Sequence, residues 1–357
     1  MRRFLLVLAA TLVAFVLAEL TVRVIPSTAA VQEQRRLLTS SRFALDDRGV
    51  PRLTPWQDVR WVLKVADSVE FDVSYRTNNM GFIDHDDYAR APGGRALAIV
   101  GDSFTAGVEG GRPWLPILRD QLRQTTPNLQ IYNLGTGAAG VRQFADLLDS
   151  VASELEFDAI VMLAITDDFY RFRWRPESSD GGLYLCGEHQ PREDCVRGRR
   201  IADLIDGDAV LPSHGAAEVF ATTAEPPAPL TLREGLRRSR LLLMLKRSWD
   251  TYAGIRRALF AENVAALAAT RERFPNLPID FVHLPQKNEV VAGRYDHDLR
   301  AEVEAAGLRY HAALTQCPWS GDLFFARDSH PNRRGYEALS ECVARLVVHD
   351  YVERSAQ

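Results

Sequence analysis

The chain has 357 residues, 46% of them hydrophobic and 25% charged, which is enough apolar material for a large core in one or two domains. That composition excludes disordered, collagen-like and coiled-coil chains. Lys and Arg number 43 against 47 Asp and Glu, a net charge of -4, so no global positive field exists to hold a polyanion and nucleic acid is not expected as a partner.

Met1-Arg2-Arg3 precedes an apolar run from Phe4 to Ala18 that only Thr11 interrupts. Glu19 and Arg23 follow where a secretory cleavage site would show small residues, with Ser27 to Ala30 a late and weak candidate. We therefore expect an uncleaved signal anchor over residues 1–25, with Leu20 to Ile25 completing a membrane helix. The positive-inside bias keeps Arg2 and Arg3 cytoplasmic and puts the rest of the chain in an extracytoplasmic location.

Residues 26–45 are polar and read as a helical or loose tether, opening a region of accessory strands that extends to residue 95. Val69, Phe71, Val73 and Tyr75 alternate with Glu70, Asp72 and Ser74, the pattern of a half-buried strand. Ala96 to Val100 is continuously apolar, as in a parallel strand covered on both faces. A helix Trp114 to Gln124, a strand Leu129 to Leu134, an amphipathic helix Val141 to Leu155 and a strand Ala159 to Ile165 follow. This alternation predicts a doubly wound α/β domain over 96–350, with active residues at the strand C-terminal ends. It resumes with a helix Ile255 to Phe274, a strand Ile279 to Leu284, a helix over 298–306 and a closing helix over 332–347. The intervening 171–250 is too long for a plain connection and reads as an inserted cap. Four cysteines in an exported chain are expected to pair as Cys186 with Cys195 and Cys317 with Cys342, the alternative being four buried thiols.

The strand Ala96 to Val100 runs into Gly101-Asp102-Ser103, which places a hydroxyl where a nucleophile belongs, with the Ser103 N–H at a helix start able to face an oxyanion. The surrounding residues are neither a Gly-x-Ser-x-Gly elbow nor a phosphate loop. A serine needs a base to take its proton, and the base needs a group to fix its tautomer. Asp328-Ser329-His330 offers both in one loop. Among other histidines, His85 reads as part of a solvated turn, His283 as a satisfied core residue, and His189 and His214 fall in the insertion.

Four blocks in this order resemble the SGNH (GDSL-type) hydrolases: Gly101-Asp102-Ser103; Asn133 to Gly140 with its glycine-rich turn; Thr166-Asp167-Asp168; and Asp328-Ser329-His330-Pro331-Asn332. Tyr75 to Phe82 is similar to the strand before the first block in membrane-anchored bacterial members. The resemblance implies a three-layer flavodoxin-like fold, acyl transfer without metal or organic cofactor, Ser103 as nucleophile, His330 as general base and acid, and Asp328 as its orienter. It implies an oxyanion hole from the Ser103 N–H, a backbone N–H at Gly137 or Ala138, and a side chain at position 167. There the family carries a donating Asn and this chain has Asp167. Three readings stay open: a buried, protonated Asp167 that donates, an Asp167 turned away from a two-donor hole, or a degenerate site.

After the third block, Arg171, Arg173 and Trp174 interleave charge and aromatic faces, as suits an acidic or decorated glycan, or else an ordinary packed strand. The basic stretch Leu232 to Trp249 reads as a helix packed on the domain or lying on a membrane surface. The expected function is a serine esterase removing acyl groups, acetyl foremost, from a cell-envelope glycan. An O-acyltransferase using the same residues and a non-catalytic glycan-binding protein are the alternatives.

Overall fold

In the computed structural model, residues 14–15, 17–19, 35–39, 43–46, 48–65, 68–89, 95–107, 110, 114–122, 126, 128–179, 182–187, 254–348 and 351 are described. Because Ala96 to Val100 offers no polar face, it is stable only between two apolar layers, and it lies inside a five-stranded parallel sheet. Strand β6 (Arg95–Gly101) is flanked by β7 (Leu129–Gly135) and β8 (Ala159–Ala164), and β11 (Ile279–His283) and β12 (Arg309–Ala312) extend the sheet beyond β8. The order is β12-β11-β8-β6-β7. The chain steps outward from β6 to β7 and returns on the other side of β6 as β8, so the strand order reverses between β6 and β8. Open α/β sheets bind ligands in the crevice at this switch point.

Successive side chains of β6 go to opposite layers. Ala96, Ala98 and Val100 pack with Phe144, Leu147, Leu148 and Val151 of helix α3 (Val141–Val151) and with Leu267 of α4 (Ile255–Arg273). Leu97 and Ile99 pack with Trp114, Leu115 and Leu118 of α2 (Trp114–Leu122) and with Tyr336, Leu339 and Val343 of α8 (Arg333–Val343). This is the three-layer α/β architecture expected from the alternation of elements, and most element bounds lie within a few residues of the expected ones. Helix α3 stops at Val151, ahead of Leu155. The expected helix over 298–306 is Arg300–Ala305, and the closing helix is followed by a π-turn at Ala344–Val348.

The stretch read as a helical or loose tether instead contains β1 (Arg35–Thr39) and β2 (Phe43–Leu45). β1 pairs antiparallel with β4 (Asp58–Val65), which pairs with β5 (Ser68–Arg76); β2 pairs with β3 (Pro51–Leu53). The polar composition misleads here because backbone pairing along the second edge of β4, rather than side-chain pattern, sets the strand. In β5, Phe71, Val73 and Tyr75 are buried as expected, but Val69 is 45% exposed. A register shift between Leu63 and Lys64 breaks the alternation beside it.

Cys317 and Cys342 form a disulfide that ties the end of a short helix, Ala313–Gln316, to α8. The bridged cysteines are 25 residues apart. A loop of that size contributes about 3.5 kcal/mol by restricting the unfolded chain. Urea unfolding with and without reductant is expected to show a loss of that order.

The start of the expected cap is a hairpin of β9 (Trp174–Ser179) and β10 (Gly182–Gly187). Cys195, His189, His214 and the basic stretch Leu232 to Trp249 lie outside the described residues. So does the apolar run Phe4 to Ala18, apart from Ala14, Phe15, Leu17 and Ala18, which are helical. No helix among the described residues is long and apolar enough to cross a membrane.

Candidate active site

At the end of β6, Asp102 caps the single-turn helix α1 (Ser103–Ala106), its Oδ1 accepting the Phe104 N–H at 2.9 Å. Ser103 is thereby fixed at the first helical position, whose N–H has no partner inside the helix. Its Oγ is 2.8 Å from His330 Nε2, and His330 Nδ1 is 2.6 Å from Asp328 Oδ1. The same Asp328 oxygen accepts the His330 backbone N–H at 2.9 Å. The spacing of two thus lets one carboxylate, itself buried, hold both the loop and the ring.

The loop is pinned from several sides. Phe325 N–H donates to the His330 carbonyl and Asn332 N–H to the Leu323 carbonyl, while Asn332 caps α8 by accepting the Gly335 N–H. Lys287, at the start of α5 (Lys287–Ala292), donates through Nζ to the carbonyls of Phe325 at 2.6 Å and Ala326 at 2.7 Å. Gly335 is required by close approach: a Cβ there would lie 2.1 Å from the Leu323 carbonyl oxygen. From the N-terminal sheet, Phe71 meets Phe325 at 5.4 Å between ring centroids, and Glu70 Oε1 accepts the Arg327 N–H at 2.9 Å. A cleft of about 510 Å³ opens between Phe71 and Val73 on one side and Phe325, Asn332 and Arg333 on the other.

The glycine-rich turn after β7 faces Ser103 across the sheet end. Thr136 N–H donates to the Gly101 carbonyl at 3.0 Å. Three carbonyls of the turn are engaged: Thr136 by Ala139 N–H, Ala138 by Trp174 Nε1 at 2.8 Å, and Ala139 by Arg171 Nη1 at 2.8 Å. With those carbonyls directed into protein, the N–H groups of Gly137 and Ala138 are among the turn's remaining donors; neither has a protein acceptor among the described residues. Ala138 has φ of 60°, a left-handed conformation that costs a residue with a Cβ about 1–2 kcal/mol. A Gly at this position would relieve that cost.

Arg171, read from sequence as a substrate contact, has its Nη1 engaged inside the protein. Its Nη1 lies 2.9 Å from Asp102 Oδ2 and 2.6 Å from Asp168 Oδ1, so with the Ala139 carbonyl it touches all of the first three blocks. Burial opposes its charge, yet Asp168 and Asp102 hold it in the cationic form above its usual range. Burial pushes Asp168 well above the ordinary carboxylate range, with Arg171 opposing. Arg173 forms two contacts of 2.7 Å with Asp146, and Trp174 supports the turn through Ala138. All three residues thus border the turn or its helix, each with a polar atom bonded to a protein partner.

Asp167 is exposed, so the burial on which a protonated donor depended belongs to its neighbour Asp168. Asp167 Oδ2 accepts from Gln286 Nε2 at 2.9 Å. Gln286, at the N-terminus of α5 beyond the end of β11, carried no motif signal; its position after a strand on the same sheet edge was the available clue. Behind it, Glu289 Oε1 accepts from Thr166 Oγ1 at 2.5 Å, and His283 Nε2 is 3.0 Å from the same hydroxyl. The Thr166 proton being spent on Glu289, His283 must donate through Nε2 and accept at Nδ1 from Tyr310, 2.9 Å away. Burial lowers His283 to about 3, and it is the satisfied core histidine expected. His85 is exposed, as a solvated turn requires, whereas Asp84 beside it is buried and paired with Arg119. Among the described residues no group of three or more His, Cys, Asp or Glu side chains is arranged to hold a metal ion.

A serine hydroxyl in hydrogen-bond contact with an imidazole that a buried carboxylate orients, set at the C-terminal edge of an open parallel sheet, defines a serine esterase or acyl hydrolase. The family model for GDSL-like lipase/acylhydrolase matches residues 97–343. The chain belongs to that family. Among solved structures it is similar to the lipase/acylhydrolase from Enterococcus faecalis (12% identity, 70% of this chain and 94% of that one, TM-score 0.37). It is also similar to the psychrotrophic esterase EstA from Pseudoalteromonas sp. (10% identity, 72% and 99%, TM-score 0.38). A third similar structure is Axe2, an acetylxylan esterase from Geobacillus stearothermophilus, solved as a catalytic mutant (12% identity, 72% and 94%, TM-score 0.35). Among curated proteins, none matches the sequence.

Proposed function

We propose that Ser103, His330 and Asp328 are the catalytic triad of an extracytoplasmic, membrane-anchored esterase that removes acyl groups, acetyl foremost, from a cell-envelope glycan. The observation that carries the chemistry is the continuous chain from Ser103 Oγ through His330 to Asp328, with contacts of 2.8 and 2.6 Å. His330 Nε2 takes the Ser103 proton as Oγ forms a bond to the ester carbonyl carbon, and Asp328 stabilises the imidazolium. The oxyanion accepts from the N–H groups of Ser103 and of Gly137 or Ala138. Collapse breaks the bond to the sugar oxygen, which takes the proton from His330 and leaves an acyl-serine. A water molecule, deprotonated by His330, then releases the carboxylic acid and restores Ser103. The apolar run behind Arg2-Arg3 and the Cys317–Cys342 disulfide both favour an oxidising, extracytoplasmic compartment.

The test uses the full-length chain in detergent. A fluorophosphonate probe is expected to form an adduct on the peptide that contains Ser103, and acetate is expected to be released from O-acetylated envelope polysaccharide. A folded protein that takes no label and releases no acetate overturns the reading. Acetyl loss from the polysaccharide that occurs only with an acceptor sugar, and yields that sugar's acetyl ester in place of free acetate, would redefine the enzyme as a transferase.

A further inference from the structure

β6 and β8 are neighbours in the sheet, so Ser103 and Asp167, each just past a strand end, lie along the same edge of the sheet. Arg171 binds Asp102 and Asp168 together, which draws residues 102–103 and 167–168 to one place. Carboxylates crowd this place. Asp102, Asp168 and Asp328 are buried and Asp167 is exposed; Arg171 Nη1 pairs with Asp102 and Asp168, and His330 with Asp328. No ion pair to Asp167 occurs among the described residues. Its carboxylate is nonetheless held: Gln286, almost fully buried, donates to Oδ2 at 2.9 Å and leaves Oδ1 open.

A fixed carboxylate beside an ester carbonyl repels the oxyanion, and a neutral acyl ester gains nothing in return. An ester that brings its own cation neutralises the carboxylate and recovers the loss. We infer that Asp167, held by Gln286 beside the nucleophile, is a specificity residue that selects esters bearing an ammonium group near the scissile bond, whether on the acyl part or on the alcohol. This deepens the esterase reading and rests on it.

The test compares isosteric pairs, each enzymatic rate being divided by the ester's own hydroxide-catalysed rate so that the inductive effect of the ammonium group cancels. On the acyl side, the 4-nitrophenyl ester of alanine is set against that of isobutyric acid; on the alcohol side, acetylcholine against 3,3-dimethylbutyl acetate. The exposed carboxylate is expected to favour the cationic member of at least one pair by about three- to tenfold in kcat/KM. The pair that responds identifies which half of the ester carries the charge. In Asp167→Asn that ratio is expected to fall to about 1, chiefly through a higher rate for the neutral ester, and in wild type it is expected to shrink at high ionic strength. Gln286→Met, which frees the carboxylate, is expected to weaken the preference while retaining activity. Matched cationic and neutral phosphonate probes give the same comparison through labelling rates alone. Label on Ser103 with no preference for charge in either pair, or a preference unchanged in Asp167→Asn, overturns this inference and leaves the esterase standing. Absence of both labelling and turnover overturns the esterase reading instead.

Discussion

Replacing Ser103 by Ala is expected to lower kcat for ester hydrolysis by a factor on the order of 10⁶, and adding His330→Ala to that variant is expected to cost almost nothing more. The two groups act as one unit: without the hydroxyl the base at 2.8 Å has no proton to take, and without the base the hydroxyl is not activated. Asp328→Asn is expected to be milder, about 10⁴-fold, because it leaves the nucleophile and base in contact but no longer holds the ring in the tautomer that presents a basic Nε2. Unequal, non-additive losses of this kind distinguish a triad from three residues that merely support the loop. Pre-steady-state kinetics with a chromogenic ester would measure them. Losses that simply multiplied across the variants would contradict a shared step.

The second large effect concerns stability. Arg171→Met is expected to destabilise the fold by about 3–5 kcal/mol, since it strands the carboxylates of Asp102 and Asp168, both with 0% exposure, without their cation. The loss is expected to depend on pH in a defined direction. Asp168 already has a raised folded-state value, caused first by burial, and removing Arg171 takes away the largest influence opposing that rise. Over the range between the unfolded value of about 3.9 and the raised folded one, the native state binds more protons than the unfolded state, so stability falls as pH rises. The deficit of Arg171→Met relative to wild type should therefore be smaller at pH 4 than at pH 7, as urea unfolding at the two pH values would show. Arg171→Lys should recover part of the stability but not all of it, because an ammonium on a flexible stem is a poorer match to two carboxylates and a carbonyl.

Much of the scaffold was legible because its signals are local. The apolar run Ala96 to Val100 could only be a doubly covered strand, and the spacing of Val141, Phe144, Leu147, Leu148 and Val151 could only be one face of a helix. Asp328 and His330 could be paired because two positions in one loop suffice for the contact. Signals that depend on a distant partner were not legible. The strand at Arg35–Thr39 exists because β4 has an edge to offer, and the exposure of Val69 follows from a bulge in a neighbouring strand. Arg171 showed its charge in the sequence but not its direction, and three partners from separate blocks turn it inward. Gln286 had neither motif nor periodicity to mark it, and acquires meaning only through its contact with Asp167.

The contact between Glu70 and Arg327 joins positions 257 residues apart, and it sets an order of events during synthesis. At about 5–20 residues per second, the ribosome needs roughly 10–50 s after finishing β5 to deliver the segment that docks on it. Through that interval Phe71 and Val73 wait without Phe325, on an edge strand open to mispairing. A chaperone that recognises extended apolar segments would have its best opportunity then. The hydrolase becomes competent only once the segment carrying Asp328 and His330 has emerged and docked, which makes esterase activity a reporter of correctly closed molecules.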